Sequence, residues 1–332
     1  MPMRSRSSSA GGVAKPRFLS LAGAYHGDTV GAVSLGHIDL FHKAYGGLLF
    51  KTDRVMSPYC YRCPYNRAQP ERADAQTYRK CRWECVDLVE KKFRKVRPKA
   101  FVVEPLMQGA AGLIPQPEGW LGRVAELTRG HGAHLIADEV MTGFGRASSA
   151  KLFATQVERV SPDFLVVAKG LTGGYLPMAA TLTTQAVFDA FLGEYEEFKT
   201  FFHGHSYTAN QLGASAALAS LDLLAQGSRA ALENTLRSEL VRLWDLPNVG
   251  DIRQVGLVAG IELVRDWTTR EPFALAERAG IRVCEAMARR GVLTRPIGAV
   301  IVLMPPYCTT ARQVRTMVSA LYSAIAEVLG AG

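Results

Sequence analysis

Short apolar runs, each closed off by glycine, proline or a charge, recur through the first two thirds of the chain. FLSLAG from Phe18, AFVVEP from Ala100, HLIADE from His134, FLVVAK from Phe164 and AATLTT from Ala179 are the clearest. Too short for helices and rich in β-branched and aromatic side chains, they read as strands buried on both faces. Between them, apolar residues return at helical spacing over Glu84 to Val96, Leu121 to Gly130 and Gln211 to Leu224. The last stretch is rich in small residues and is expected to be buried. Such alternation predicts an α/β fold, a mostly parallel sheet covered on both faces. The pattern changes at Gly227-Ser228. Beyond it come a helix, hairpin-like strands in VGLVAGIELV, a helix from Leu275 to Arg290 and a strand from Ile301 to Met304. These make a smaller α+β unit. The expected division is therefore an atypical or disordered start over 1–17, a large domain over 18–226 and a small C-terminal domain over 227–332.

Composition narrows the function only modestly. With 332 residues, 48% of them hydrophobic, the chain can bury one core or two. No apolar run is long enough to span a bilayer, so no membrane association is expected. The net charge of +9 comes largely from a basic excess between Lys51 and Lys99. Those basic residues are interleaved with acids and apolar positions and form no nucleic-acid-binding module, so a solvated face is expected, and no nucleic-acid partner. The opening MPMRSRSSSAGGVAKPR is rich in Arg and Ser, lacks acids and has no apolar signal core; it reads as a transit-like segment or as a disordered or misassigned start. Six cysteines without a secretion signal argue for a reducing compartment, hence a cytoplasmic location. Four of them, Cys60, Cys63, Cys81 and Cys85, form two close pairs. Two thiol pairs suit a tetrahedral zinc site, but the second spacing is looser than CxxC, and a packed thiol cluster is the competing reading. His203 and His205 have no further ligands at metal-binding spacing, so no metal is expected there.

The chemistry concentrates at two predicted strand ends. Asp138-Glu139 follows His134–Ala137, and Lys169 follows Phe164–Ala168. In open α/β sheets such ends face the ligand crevice. A lysine beside a buried strand serves as an amine nucleophile, and an aspartate keeps a pyridine nitrogen protonated; together they suit pyridoxal phosphate (PLP). The 31 positions between them accommodate one crossover helix between parallel strands. The plain alternative is one solvated lysine and one helix-capping aspartate.

The surrounding residues favour the cofactor. ADEVMTGFGR at 137–146 and SPDFLVVAKGLTGGYLPMAATLTT at 161–184 resemble the subgroup III aminotransferases, PLP enzymes of fold type I. AYHGDTVGAVSLG at 24–36, EPLMQGAAG at 104–112, HGHSYTAN at 203–210 and LTRPIGAVIVLMPPY at 293–307 extend the resemblance from about Arg17 almost to the C-terminus. The resemblance implies that Lys169 bonds to the cofactor aldehyde and shuttles the substrate proton while Asp138 meets the ring nitrogen. Tyr25 then lays its ring on the cofactor or lines the substrate pocket; a core tyrosine is the alternative. Asp28 meets a substrate amine or caps a helix. Glu104 holds an arginine in the site or forms a strand-end ion pair. Arg146 orients cofactor or substrate. Gly204, His205 and Ser206 lie on a turn that reaches the neighbouring subunit's cofactor phosphate, which implies a homodimer with shared active sites. Arg295 is the expected clamp for a substrate carboxylate, since a planar guanidinium matches it in two hydrogen bonds. The related enzymes carry glycine where this chain has Ala209.

ATLTT, KTFFHGHSYTAN and RPIG…LMPPY most resemble the branch that forms 7,8-diaminononanoate from 8-amino-7-oxononanoate in biotin synthesis. The implied amine donor is S-adenosylmethionine, or lysine as in some relatives. Other ω-amino acid or diamine:pyruvate aminotransferases are the rival within the family. Related enzymes also carry a segment ahead of YHGDT with a Gly-Ser turn for the cofactor phosphate. Its absence here makes the chain look N-terminally truncated and raises a third reading, an inactive fragment that only binds or dimerises.

Overall fold

The computed structural model describes residues 16–227 and 229–330. Ser228 and nearly all of the stretch expected to be an atypical start thus lie outside the described residues. A six-stranded sheet forms the first layer: β1 (Phe18–Leu21), β2 (Asp53–Val55), β3 (Ala100–Val103), β6 (His134–Asp138), β7 (Phe164–Val167) and β8 (Ala180–Thr183). Its order is β2-β1-β3-β6-β7-β8, and every pair is parallel except β7–β8. From β1 the chain steps outward to β2, then returns to β3 and continues in the opposite direction. That reversal opens a crevice at the carboxyl ends of β1 and β3, where such sheets bind ligands.

The connecting helices are α1 (Val30–Leu35), α2 (Asp39–His42), α3 (Ala75–Tyr78), α4 (Glu84–Val96), α5 (Trp120–Gly130), α6 (Gln185–Asp189) and α7 (Gln211–Gln226). Helix α4 shows why the pattern folds this way. Cys85, Val89, Phe93 and Val96 share one buried stripe, while Glu84 and Asp87 in its first turn and Arg94 and Lys95 in its last complement the helix dipole. The stripe packs with Trp120, Leu121 and Val124 of α5 and with Leu19, Phe101 and Val103 of the sheet. A hairpin of β4 (Met107–Gln108) and β5 (Ile114–Pro115) follows β3.

A second, five-stranded sheet contains β9 (Val249–Val255), β10 (Val258–Asp266), β11 (Glu271–Pro272), β12 (Pro296–Ile297) and β13 (Val300–Leu303), all antiparallel. It is backed by α8 (Ala230–Leu240), α9 (Ala279–Ala288) and α10 (Ala311–Leu329) over a core that includes Leu236, Leu263, Met287, Ile301 and Leu321. Thr310 and Gln313 form a capping box that starts α10.

Three features differ from the pattern-based reading. AATLTT is a strand, but it runs antiparallel at the sheet edge, with all four residues of β8 exposed. The small-residue helix exists, its first turn capped by Asn210, yet only Gly213 and Ala217 are buried. Leu212 (74% exposed), Leu218 (65%) and Leu223 (70%) face outward. Among the described residues this helix packs chiefly on the turn at Lys169–Thr172, where the Ser220 hydroxyl donates to the Gly170 carbonyl at 3.0 Å. Finally, the helix expected over Leu275–Arg290 is interrupted: Arg278 takes a left-handed backbone (φ +50°) between a turn at Leu275–Glu277 and α9.

Candidate active site

Loops after β1, β3, β6 and β7 converge on the crevice. Asp138 is the last residue of β6, buried, in register with Val166 of β7. Its Oδ2 lies 2.7 Å from Nδ1 of His26, and its Oδ1 accepts the Val140 N–H at 3.1 Å. His26 belongs to the loop after β1, and its side chain is almost wholly buried. Among the described residues its buried Nε2 has no hydrogen-bond partner. The motif reading passed over His26; its place between Tyr25 and Asp28 in YHGD was the signal that pointed to it.

Glu104 directly follows β3 and, among the described residues, neither pairs with an arginine nor forms an ion pair. Its two oxygens accept backbone N–H groups, from Tyr25 at 3.3 Å and Gly109 at 2.8 Å. Burial pushes its carboxyl up to about 7, against the opposing pull of His26 and the two N–H groups. Glu104 thus ties the loop after β1 to the β4–β5 hairpin. Glu139 turns the other way: it accepts from the backbone of Ala154 and Thr155 and from the Thr155 hydroxyl at 2.6–2.8 Å, and it anchors the loop beneath the site.

Lys169 follows β7 by two residues, is exposed, and has a left-handed backbone at φ +44°. A non-glycine residue there carries strain, which tends to gather at functional positions. Among the described residues its ammonium makes no ion pair. Tyr25 and Asp28 are brought together, the phenol donating to the carboxylate at 2.8 Å. The residue that caps α1 is Thr29, so Asp28 is not a helix cap.

Arg295 is exposed just before β12. Two residues on, Ile297 packs against the small core of Met107, Leu113, Val258 and Val302, as does Met141 of the loop after β6. The arginine's strand therefore runs beside the crevice. Arg146 is engaged elsewhere: its Nη1 donates to the Pro305 carbonyl at 2.7 Å and its guanidinium lies 4.3 Å over the Tyr307 ring. In this conformation it joins the loop after β6 to the segment after β13. Gly204, His205 and Ser206 lie on an exposed turn whose hydrogen bonds stay local, the His205 N–H donating to Thr208 Oγ1 at 3.0 Å. Ala209 sits at φ +58°, a conformation that explains the preference for glycine there. A single chain does not bring this turn into hydrogen bonding with Asp138 or Lys169.

The class-III aminotransferase family profile matches residues 3–325. The chain belongs to the class-III aminotransferases. Enzymes of this family depend on PLP. The chain is 47% identical over 322 residues to the adenosylmethionine-8-amino-7-oxononanoate aminotransferase of Geobacter sulfurreducens, covering 95% of this chain and 69% of that enzyme. It is also 47% identical to the enzyme of that name from Nitratidesulfovibrio vulgaris, over 97% of this chain and 59% of that one. The crystal structure of the Methanocaldococcus jannaschii counterpart superposes with a TM-score of 0.83 at 38% identity, over 96% of this chain and 69% of that structure. The residues at the crevice fit the ring end of PLP. A buried carboxylate, steadied by His26 Nδ1, stands at one strand end, and a primary amine without a competing ion pair stands just beyond the next.

Among the described residues, no helix is long and apolar enough to cross a membrane.

Proposed function

We propose that the protein transfers an amino group to the ketone of 8-amino-7-oxononanoate, forming 7,8-diaminononanoate, with S-adenosylmethionine or lysine as donor. The observation that carries the reading is the placement of Asp138 and Lys169 at adjacent parallel strand ends, in a chain 47% identical to enzymes named for this substrate.

When bound, PLP supplies an electron sink at the amine-bearing carbon. Asp138 would hold the ring nitrogen and Lys169 the aldehyde carbon. His26 orients the Asp138 carboxylate through Nδ1, so that Oδ2 is not free to rotate. Lys169 Nζ would take the proton from the carbon bearing the amine as a general base and deliver it as a general acid within the same half-reaction, running the shift in reverse in the second. Tyr25, steadied by Asp28, closes one wall of the crevice and excludes water. Arg295 binds the substrate carboxylate; the aliphatic chain between carboxylate and ketone then spans apolar surface, a pocket with one cationic end.

The exposed apolar side chains between Tyr175 and Leu223, among them Tyr195, Phe198 and Phe202, support a homodimer. In that assembly the turn bearing Ser206 serves the partner's phosphate site. Six free thiols agree with a reducing, cytoplasmic setting.

The test is an assay with PLP, the keto acid and each donor, scored for diaminononanoate by mass spectrometry. Formation from S-adenosylmethionine or lysine is expected. Arg295→Ala is expected to raise KM for the keto acid by the equivalent of about 1.5–3 kcal/mol, the loss of a charge-assisted pair. A preference for pyruvate or 2-oxoglutarate, with no diaminononanoate from any donor, would leave a general ω-aminotransferase instead.

A further inference from the structure

The hairpin of β4 and β5 stands between the two sheets and touches both. Residues 109–113 form its tip, with positive φ at Gly112 (+103°) and at Leu113 (+55°). A leucine held there persists only where its surroundings over-determine it. Toward the crevice, the Gly109 N–H donates to Glu104 at 2.8 Å, and Gln108 Nε2 donates to the Ala22 carbonyl at 3.0 Å. A Cβ on Gly109 would lie only 2.5 Å from Met141 Sδ, so the loop after β6 is closely approached as well. Toward the second sheet, Leu113 packs with Val258 and Val302, and a Cβ on Gly260 would lie 3.1 Å from Leu113 Cβ. A Cβ on Gly112 would touch Val300 of β13, which pairs in register with Ile297 of β12, two residues after Arg295.

Arg253 of β9, with no exposed surface, holds this tip. One edge of its guanidinium faces the hairpin: Nε donates to the Leu113 carbonyl at 2.7 Å and Nη2 to the Gly112 carbonyl at 2.6 Å. Nη1 donates to Asp251 at 3.0 Å and to Glu262 at 2.8 Å. The same group lies 5.1 Å over the ring of Tyr59, whose hydroxyl donates to Glu262. Arg62 stands 2.7 Å from Glu262, so two guanidinium groups balance two buried carboxylates. Charge-assisted bonds on one side thus hold the fork in place for the carbonyls on the other. Lysine, with one compact ammonium, cannot serve both sides. Tyr59 and Arg62 belong to the irregular stretch 56–83, whose cysteines are free thiols. Among the described residues, no group of three or more His, Cys, Asp or Glu is placed to hold a metal ion.

We propose that Arg253 is a positioning residue that fixes the span between Arg295 and Lys169, and so the length of the substrate the crevice accepts. The inference rests on the reading of Arg295 as the carboxylate clamp and Lys169 as the reacting amine. The hairpin is the spacer. Its tip meets the sheet that Arg295 leads into, and its base meets the loops around Asp138 and Tyr25. With the tip tied to β9, neither side moves without the other. A substrate whose carboxylate and ketone lie at the matching distance meets both ends, and one methylene more or less misses one of them.

The whole chain, loaded with PLP, is given straight-chain ω-amino acids of increasing length, and loss of the cofactor's visible absorbance reports each half-reaction. In 8-amino-7-oxononanoate the ketone is the seventh carbon, so 7-aminoheptanoate reproduces the span. The wild type is expected to favour it by about tenfold in kcat/KM over neighbours one methylene shorter or longer. Arg253→Lys keeps the ion pairs and frees the two carbonyls, and the preference is expected to fall below about threefold. Hydrogen–deuterium exchange, which needs no activity, should rise about tenfold over 104–116 and 22–28 while β6 and β7 keep wild-type rates. Gly260→Ala presses on Leu113 without touching the charges and should flatten the preference likewise, a second route if Arg253→Lys does not fold. A length profile or hairpin exchange unchanged from wild type in a folded variant overturns the proposal, as does exchange that rises equally over both sheets. A wild-type optimum at another length refutes the keto acid as substrate and leaves the role of Arg253 standing, and exchange still judges Arg253 where no donor reacts.

Discussion

Asp138 and Glu104 are both acids at strand ends, but their surroundings separate them. Asp138 is hydrogen-bonded to a basic partner in His26, whereas Glu104 hydrogen-bonds only backbone N–H groups. Asp138→Asn removes the carboxylate proposed to meet the ring nitrogen, and turnover in the amino-transfer assay should fall by about a hundredfold or more, roughly 3 kcal/mol of transition-state stabilisation. Near-wild-type turnover of this variant would assign Asp138 to structure alone. For Glu104 the expectation concerns pH. Its folded carboxyl titrates at about 7, above the 4.5 of the unfolded chain, so its contribution is fully present below 4.5 and is lost as pH rises through 7. A shift of that size corresponds to an upper bound on the order of 3 kcal/mol. Glu104→Gln cannot ionise and should flatten the fall in stability between pH 5 and pH 8, read from urea midpoints at both. Parallel pH profiles for variant and wild type would refute a raised Glu104.

At the scale of elements, the turn joining β9 to β10 makes the most exacting demand. Gly256 sits at φ +58°, and a Cβ there would collide with the backbone of Arg146 and Ala147. The next residue, Leu257, donates its N–H to the Arg146 carbonyl at 2.9 Å. The hairpin thus docks directly on the loop that follows Asp138. Gly256→Ala should cost roughly 2–4 kcal/mol, from left-handed strain plus overpacking. Chemical denaturation measures it, and a loss below about 0.5 kcal/mol would mean that the turn can shift without consequence. The hairpin was legible in the sequence, because VGLVAGIELV alternates and contains a turn glycine. Its docking partner was not, since nothing local to Gly256 records Arg146 and Ala147, more than a hundred positions away.

For the whole molecule, the apolar side chains left outside one chain are the leading fact. Helix α7 and strand β8 have sequences suited to burial, and one chain leaves them largely exposed. The proposed shared-site homodimer would bury them and give the 203–206 turn a destination. Mixing Lys169→Ala with Ser206→Ala subunits tests it. If each site draws on both chains, a heterodimer contains one doubly damaged site and one intact site, so activity recovers in part. Proven subunit exchange without recovery, from two impaired parents, would rule out shared sites.

The sequence by itself determined the elements and the chemistry they could support. Apolar runs with strand-like composition became β1, β3, β6 and β7, helical periodicity became α4 and α5, and Asp138 and Lys169 stood at strand ends because each directly follows such a run. Local chain chemistry is enough for that, since burial period and turn residues act over a few positions. Only the tertiary structure decided which distant residues meet. His26 reaches Asp138 across 112 positions, Glu104 holds two loops instead of an arginine, Arg146 is drawn to Pro305 and Tyr307, and two cysteine pairs face one cleft. Those contacts depend on the order in which strands assemble, a long-range property that no window of the sequence contains.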